Sequence, residues 1–278
     1  MRRALARGLT AVVLMIATAL FVFPLYYLVV TSLKTKAELF AAVPTLFPQA
    51  PTIQPYVSVL FDRGMTQLLV NSIVAGLSAT ALALVVAFAI CYPITRLPLS
   101  RRVRVFVLNW SLSLRFLPPI AVVIPYFTIV QAAGLYNQLP AVIFVYALFN
   151  LPLSIWLLKG FLEEIPLEIE EAALTDGATR WQAFRRVVLP LSTPGILAAA
   201  IVIFAFDWAE FLFAFILTAT RDAQTFPVGV QGLVTQFDII WNDMAAGGVI
   251  AILLPLALML IARRHVMTGL TFGVIREK

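Results

Sequence analysis

The sequence predicts an all-α integral membrane protein with six transmembrane helices. Hydrophobic residues make up 62% of the 278 residues and charged residues only 12%, whereas about a quarter of the residues in a soluble domain are charged. The mean hydropathy is +0.96. The apolar residues also fall in six runs of about 20 residues, the length that an α-helix needs to cross a bilayer. A single transmembrane domain over residues 1–278 accounts for this pattern.

Each apolar run predicts one span, and the spans cover about 9–30, 68–92, 105–130, 140–158, 195–218 and 244–262. The first run starts like a secretory signal but extends to Val30 without a small-residue cleavage site, so we expect a retained span. The third contains Pro118, Pro119 and Pro125. Prolines free backbone carbonyls and kink a helix, so this run predicts a bent helix that lines a cavity.

The charges between the runs orient the spans. Most of the 20 Lys and Arg residues fall in four alternate segments: the N-terminus, the second connection, the fourth connection and the C-terminus. Because Lys and Arg near the ends of a span favour the cytoplasmic side, both termini and the segment 163–194 are predicted to be cytoplasmic. The longest opposite loop, 31–67, contains four prolines and is predicted to be extended and rich in turns. It is either a plain connector or a docking surface.

The segment 163–194 interrupts the apolar pattern with charges, caps and helix breakers, and we call it the polar segment. Pro166 suits the first turn of a helix, and the acidic residues that follow it favour the positive end of the helix dipole. A helix is predicted over 166–175. Gly177 comes just after it, where a left-handed closing residue is expected.

A second short helix is predicted in the polar segment, capped by Thr179 and stopped by Pro190, with a new helix restarting at Thr193. A helical hairpin of this kind could rest on lipid headgroups or dock on another protein. Helices that lie on lipid are usually rich in Lys and Arg, whereas the first helix here is acidic and would be repelled by anionic lipid. The pattern therefore favours protein docking.

Three ionisable residues lie within the predicted spans: Arg115, Asp207 and Glu210. Such residues are costly in a membrane unless they pair or line water. They could form a structural ion pair between the third and fifth spans, or line a substrate path with Trp208 as a stacking platform. Our hypothesis combines the two: Arg115 pairs with one acid, and the remaining acid contacts substrate or water.

The polar segment contains a spaced set of residues: Glu171-Ala172-Ala173, Gly177, Val187 and Leu189-Pro190. With this spacing it resembles the EAA loop of bacterial ABC-importer permeases, by which a membrane subunit binds its ATPase. The wider chain contains, in this order, the stretches FPLYYLVVTSLK, LVNSIVAG, FLPPIAVVIPYF, LPLSIWLLKGF, WAEFLFA and GLTFGVIREK. Together they resemble the second permease of maltose-type carbohydrate importers. In the fifth span, Ala209 stands where relatives often have Asn, so no role is carried over for that Asn.

This resemblance implies a complex with a second homologous permease, two cytoplasmic ATPase subunits and an extracytoplasmic solute-binding protein. The residues implied in coupling to the ATPase are Glu171, Ala172, Ala173, Asp176 and Gly177. The tail Thr268–Lys278 resembles a segment that reaches between the ATPases. The expected location is the bacterial inner membrane.

The chain has no Gly-rich phosphate loop ending in Lys-Ser or Lys-Thr, so ATP and Mg²⁺ are expected in the partner ATPases. The sequence offers no catalytic triad, no metal-ligand spacing and no basic stripe for nucleic acid. The leading prediction is a non-catalytic permease for a sugar, polyol or related polar solute. An ion-coupled secondary transporter that uses Arg115, Asp207 and Glu210 is the alternative, and a membrane-embedded enzyme is a weaker third class.

Overall fold

The computed structural model describes residues 2–235 and 239–271, with side chains for 8–235 and 239–260. Nearly all of the described chain is helical, as predicted. Its α-helices are α1 (Arg2–Ser32), α2 (Lys36–Leu39), α3 (Gln54–Val57), α4 (Met65–Arg96), α5 (Arg101–Arg115), α6 (Pro119–Ala132), α7 (Leu139–Glu164), α8 (Leu167–Thr175), α9 (Arg180–Ala183), α10 (Leu189–Ala209), α11 (Leu212–Leu217), α12 (Phe226–Gln231) and α13 (Trp241–Thr271). Two π-helical turns, Ser58–Asp62 and Phe184–Val188, precede α4 and α10.

Within the described ranges, five single stretches of helix are long and apolar enough to cross a membrane. They lie in α1, α4, α7, the continuous stretch from α9 to α10, and α13. The pair α5 and α6 becomes a sixth span if its two helices are counted together. The prediction of an all-α membrane protein with six spans is therefore confirmed at the level of architecture.

The third predicted span, 105–130, is divided into two helices. Helices α5 and α6 are bent by 98° relative to each other. Pro118 and Pro119 lack the N–H groups that would continue α5, so α5 ends at Arg115 and α6 begins at Pro119. The prolines predict that a bend occurs here, but the angle depends on tertiary packing.

The fifth predicted span, 195–218, begins earlier than expected and is interrupted before its predicted end. The prediction that Pro190 stops the preceding helix is wrong, because the stretch Arg180–Ala209 is helical throughout. The π-helical turn Phe184–Val188 lies directly before Leu189 and Pro190, and such local adjustments satisfy backbone groups that a proline leaves without a donor. It ends at Ala209, and Glu210 and Phe211 separate it from α11.

Among the described residues, 67–228 form one compact unit together with 255–271. Small residues let its helices approach closely. A Cβ atom added to Gly195 in α10 would lie 2.5 Å from the ring of Phe161 in α7. A Cβ atom on Gly76 in α4 would lie 2.9 Å from the Phe204 ring in α10. These contacts hold α4, α7 and α10 at short spacing.

Residues 2–66, 229–235 and 239–254 form a second unit. There Arg63 makes an ion pair of 2.8 Å with the buried Asp243, which also accepts a hydrogen bond from Ser58. In the loop 31–67, Glu38 accepts hydrogen bonds from the Thr45 hydroxyl at 2.6 Å and from the Gln49 amide at 3.0 Å. The bond from Thr45 is the main cause that lowers the pKa of Glu38. Polar contacts therefore fix this loop, which also contains the short helices α2 and α3.

Candidate functional site: the polar segment and the membrane acids

The first helix of the polar segment, α8, closes with a glycine turn. Gly177 has a φ of +90°, in the left-handed region that glycine adopts without strain. The Ala178 amide donates to the Ala173 carbonyl at 3.0 Å, and the Gly177 amide donates to the Leu174 carbonyl at 3.1 Å. These two bonds form a Schellman motif, which satisfies the last carbonyls of α8 and fixes the direction of the chain.

The second helix of the segment starts immediately afterwards at a capping box. The Thr179 side chain accepts from the Gln182 amide, and the Gln182 side chain accepts from the Thr179 amide. Phe184, in the π-helical turn, packs edge-on against Tyr92 of α4 with ring centres 5.0 Å apart. Trp181 stacks on Phe184 at 5.2 Å. The aromatic contacts attach the second half of the polar segment to α4.

Glu170 anchors α8 to the rest of the unit. It is only 5% exposed, and it accepts a hydrogen bond of 2.6 Å from the Tyr92 hydroxyl. Its second oxygen lies 3.8 Å from Nε of Arg96. The Arg96 guanidinium also donates to the carbonyls of Leu162 and Ile165 at the end of α7. Arg96 and Glu170 therefore join the ends of α4, α7 and α8.

The sequence prediction missed this anchor. It explained Glu170 by its favourable position near the positive end of the helix dipole, and Arg96 by its effect on the orientation of the spans. Neither explanation predicts a contact between the two side chains. One signal was available, since Glu170 and the half-buried Leu174 are four residues apart and share a helical face. An acid on the buried face of an amphipathic helix requires a partner.

The residues predicted to couple to the ATPase lie on the other side of α8. Glu171, Ala172, Asp176 and Gly177 are exposed, and Ala173 is half-buried. Three large apolar side chains are exposed in the same segment: Leu167 at 43%, Ile169 at 42% and Trp181 at 66%. Exposed apolar side chains next to exposed acids are consistent with a protein contact at Leu167 and Ile169, whereas Trp181 also packs on Phe184.

In the membrane part of the unit, Asp207 belongs to a buried polar cluster with Thr80 and Asn150, which we call the polar cluster. Asp207 is 2% exposed. Its carboxylate accepts from the Thr80 hydroxyl at 2.9 Å and from the Asn150 amide at 2.7 Å. The three side chains come from α4, α7 and α10, so the cluster joins these helices by hydrogen bonds.

Glu210 lies in the break between α10 and α11 and caps the N-terminus of α11. Its carboxylate accepts from the amides of Phe213 at 2.9 Å and Ala214 at 3.3 Å. The Tyr146 hydroxyl donates to the Glu210 carbonyl at 3.2 Å. Capping bonds and the helix dipole stabilise a carboxylate at this end of a helix. Glu210 thus supplies hydrogen bonds that allow one helix to end and the next to begin inside an apolar region.

The predicted ion pair between Arg115 and an acid of the fifth span is wrong. Among the described side chains, Arg115 forms an ion pair with neither Asp207 nor Glu210. Its guanidinium instead lies 5.1 Å from the ring centre of Phe206, in a cation–π contact. The chain turns sharply just after Arg115, and both acids have hydrogen-bond donors of their own.

Trp208 is 4% exposed and stacks on Phe204 with ring centres 5.9 Å apart. It lies beside Asp207 in the interior of this unit. A role for Arg115, Asp207, Trp208 or Glu210 in the substrate path stays a prediction.

The predicted contact of the tail Thr268–Lys278 falls outside the side chains that the structure describes. Among the described residues, no group of His, Cys, Asp and Glu side chains could hold a metal ion.

Comparison with known proteins identifies relatives over most of the chain. Residues 79–271 match the family model described as binding-protein-dependent transport system inner membrane component. The sulfoquinovosyl glycerol transport system permease protein SmoH of Agrobacterium fabrum is 34% identical over 91% of this chain and 88% of its own length. The trehalose transport system permease protein SugB of Mycobacterium tuberculosis is 36% identical over 83% of this chain and 84% of its own.

The fold is similar to that of solved transporter structures. Among them, a chain of a bacterial ABC transporter involved in the import of the acidic polysaccharide alginate matches with a TM-score of 0.78. The match covers 94% of this chain and 96% of that chain at 19% identity. At this identity, the likeness shows the fold and not the cargo.

Proposed function

Because the chain belongs to the family of binding-protein-dependent transport system inner membrane components, we propose that it carries a sugar or related polar solute across the inner membrane. It is a multi-pass permease subunit of an ABC importer. The relatives SmoH and SugB are permeases for a sulfoquinovosyl glycerol and for trehalose, which supports a carbohydrate as the cargo.

The exposed face of α8 is the proposed contact with a cytoplasmic ATPase subunit. The observation that carries this proposal is the division of the polar segment into two faces. Glu170 is buried and bound to Tyr92 and Arg96, whereas Glu171 and the residues around Gly177 are exposed. An anchored helix that presents acidic and apolar side chains can bind a partner and transmit its displacement.

The displacement would reach the membrane through three helices. Helix α8 is joined to the ends of α4 and α7 by Arg96, and the polar segment continues without a break into α10. The same three helices meet again at the polar cluster. ATP binding in the partner subunits would therefore move α4, α7 and α10 together, and alternate opening to the two sides of the membrane would follow.

The proposed assembly contains this chain, a second homologous permease, two cytoplasmic ATPase subunits and an extracytoplasmic solute-binding protein. ATP and Mg²⁺ would bind to the ATPase subunits, since this sequence has no phosphate-binding loop. The family description itself supports the need for a binding protein. The ion-coupled alternative is not favoured, because the relatives are subunits of ABC importers and Asp207 is held by Thr80 and Asn150.

Reconstitution into proteoliposomes tests the proposal. The ligand that co-purifies with the binding protein is first identified by mass spectrometry and then used in radiolabelled form. We expect uptake only when the ATPase subunits, ATP and the loaded binding protein are all present. Uptake by this chain without the ATPases, driven by an ion gradient, would contradict the proposal.

A further inference from the structure

Two cavities adjoin at the end of α4, both within the unit that contains residues 67–228. The first has a volume of about 710 Å³ and lies between α4 and the stretch from α9 to α10. Its walls are almost entirely apolar and include Leu84, Phe88, Leu97, Trp181, Phe184 and Ile196. A cavity of this volume and apolar composition suits a hydrocarbon chain.

The second cavity has a volume of about 410 Å³ and is polar. It is bounded by the end of α4, the start of α5 and one side of α8, with Arg96, Arg104 and Glu171 among its residues. Leu97 and Arg180 line both cavities. The apolar cavity and the polar cavity are therefore adjacent, and Arg180 lies between them.

The polar cavity contains buried donors that the protein leaves unsatisfied. The side chain of Arg96 is 4% exposed, and its Nε is 3.8 Å from Glu170, too far for a hydrogen bond. Among the described residues, Nε of Arg96 and Nε of Arg104 both lack a hydrogen-bond acceptor. Oε2 of Glu170, which faces Nε of Arg96, also lacks a hydrogen-bond partner among these residues. Both Nε atoms are fully enclosed, so an oxyanion in the cavity would interact with the positive charge of the two guanidinium groups and not with Nε itself.

We propose that this pair of cavities binds one anionic glycerophospholipid. An acyl chain occupies the apolar cavity, and the phosphate lies beside Arg180 with Arg104 and Arg96 within the polar cavity. Guanidinium groups bind phosphate through paired N–H donors. Trp181, which lines the apolar cavity, is a residue type enriched at the membrane interface. This site goes beyond the proposed transport function, because it concerns a lipid and not the cargo.

The carboxylates in the polar cavity limit where the phosphate lies. Glu170 is already bound to Tyr92 and Arg96. Glu171 is exposed and would repel a phosphate close to it, so the headgroup belongs on the arginine side. The acidic helix α8 still presents its outer face to protein, while a single lipid is held beside it by the arginines of α4, α5 and α9. Such a lipid would brace α8 next to the proposed ATPase contact.

Lipid retention in the purified complete importer tests this site. The complex is delipidated, titrated with phosphatidylglycerol and analysed by native mass spectrometry. Phosphatidylcholine and inorganic phosphate are titrated in parallel.

We expect tight retention of one phosphatidylglycerol, and Arg180→Gln should weaken that retention about fivefold. Arg180→Lys should retain most of the binding. Arg185→Gln is the matched control, because Arg185 is exposed in the same segment and lines neither cavity.

The location is mapped with a phosphatidylglycerol that carries a photoreactive group at the end of its acyl chain. Cross-links should fall on the peptides that contain residues 84–97 and 180–196. Three results would overturn the proposal: equal losses from Arg180→Gln and Arg185→Gln, equal retention of phosphatidylcholine, or cross-links confined to the partner permease because one of its helices fills the apolar cavity. None of these measurements depends on transport, so failure of the lipid site is distinguishable from failure of the proposed function.

Discussion

Helix α10 is held in different ways at its two ends. At its start it emerges from the polar segment, where short helices, an exposed glycine turn and exposed apolar side chains surround a single buried acid, Glu170. At its end it enters the polar cluster, where Asp207 is 2% exposed and bonded to side chains from two other helices. The start of α10 therefore adjoins an exposed surface, whereas its end is buried among the helices of the polar cluster.

The difference shows how one helix can serve contact and transmission together. Exposed side chains at the start of α10 can be changed without leaving buried groups unpaired, so their loss should affect binding and not stability. At the other end, both carboxylate oxygens of Asp207 accept hydrogen bonds in the apolar interior, where an unpaired polar group is costly. Substitutions at the two ends should therefore separate transport defects from folding defects.

The largest effect is expected from Gly177→Val, which alters the exposed glycine turn of the polar segment. A β-branched residue at a φ of +90° costs about 1–2 kcal/mol in backbone strain. Because this strain distorts the turn that sets the direction of α8, we expect uptake to fall by about tenfold or more. ATP hydrolysis should become independent of the binding protein, or the ATPase should dissociate. Uptake and hydrolysis are measured in proteoliposomes.

Gly134→Val is the matched control for this prediction. Gly134 also has a positive φ, +70°, and an added Cβ would meet no atom within 4 Å at either glycine. Its strain is therefore similar, but it lies outside the polar segment. Equal loss of uptake in both variants would mean that strain alone, and not the position of α8, explains the defect.

The next effect concerns the enclosed end and is a loss of stability. Asp207→Leu leaves the Thr80 hydroxyl and the Asn150 amide without their acceptor, at a cost of about 1–2 kcal/mol. Asp207→Asn should cost less than Asp207→Leu. Its Oδ1 can accept from Thr80, and its Nδ2 can donate to Oδ1 of Asn150 once the Asn150 amide, which donates to Asp207 in the present structure, has rotated. Thermal unfolding of the purified complex measures both variants.

The same pair of variants also tests the substrate path. If Asp207 only joins helices, Asp207→Asn keeps full uptake. Loss of uptake with unchanged thermal stability would show that the negative charge itself is required, and would revive a role for Asp207 in substrate or ion binding.

A smaller effect should separate two neighbouring acids in α8. Glu170→Gln keeps an acceptor for Tyr92 but loses the charge that faces Arg96, so we expect the unfolding temperature to fall by a few degrees. Glu171→Gln should leave stability unchanged and weaken ATPase binding, as expected for an exposed contact residue. Co-purification of the ATPase measures the binding. The opposite assignment of the two defects would mean that the buried and exposed faces of α8 are exchanged in the complex.

The smallest effect is expected from Arg115→Gln. The cation–π contact with Phe206 is worth about 0.5–1 kcal/mol at a partly exposed position. Stability should therefore change little, and uptake should persist unless the guanidinium contacts the cargo. A transport defect with altered apparent affinity for the cargo would place Arg115 on the substrate path.

Patterns that are local in sequence predicted most of the fold. The apolar runs gave the spans, the pair Pro118-Pro119 predicted a bend, and Gly177 predicted the turn after α8. Side-chain partners were not predictable in this way. Arg115 and Asp207 were paired because both are ionisable and deep in the membrane, yet Asp207 bonds to neutral partners. Which residue faces which helix depends on crossing angles and rotation, and apolar periodicity does not encode them.

The contact between Gly195 and Phe161 has a mechanical consequence. With the Phe161 ring where a Cβ of residue 195 would be, α7 and α10 have no slack at their crossing, so neither can slide or roll alone. The distance along α10 from Gly195 to Asp207 is about 18 Å. A displacement at Gly195 would therefore move α7 together with α10 and be carried along the helix toward the polar cluster.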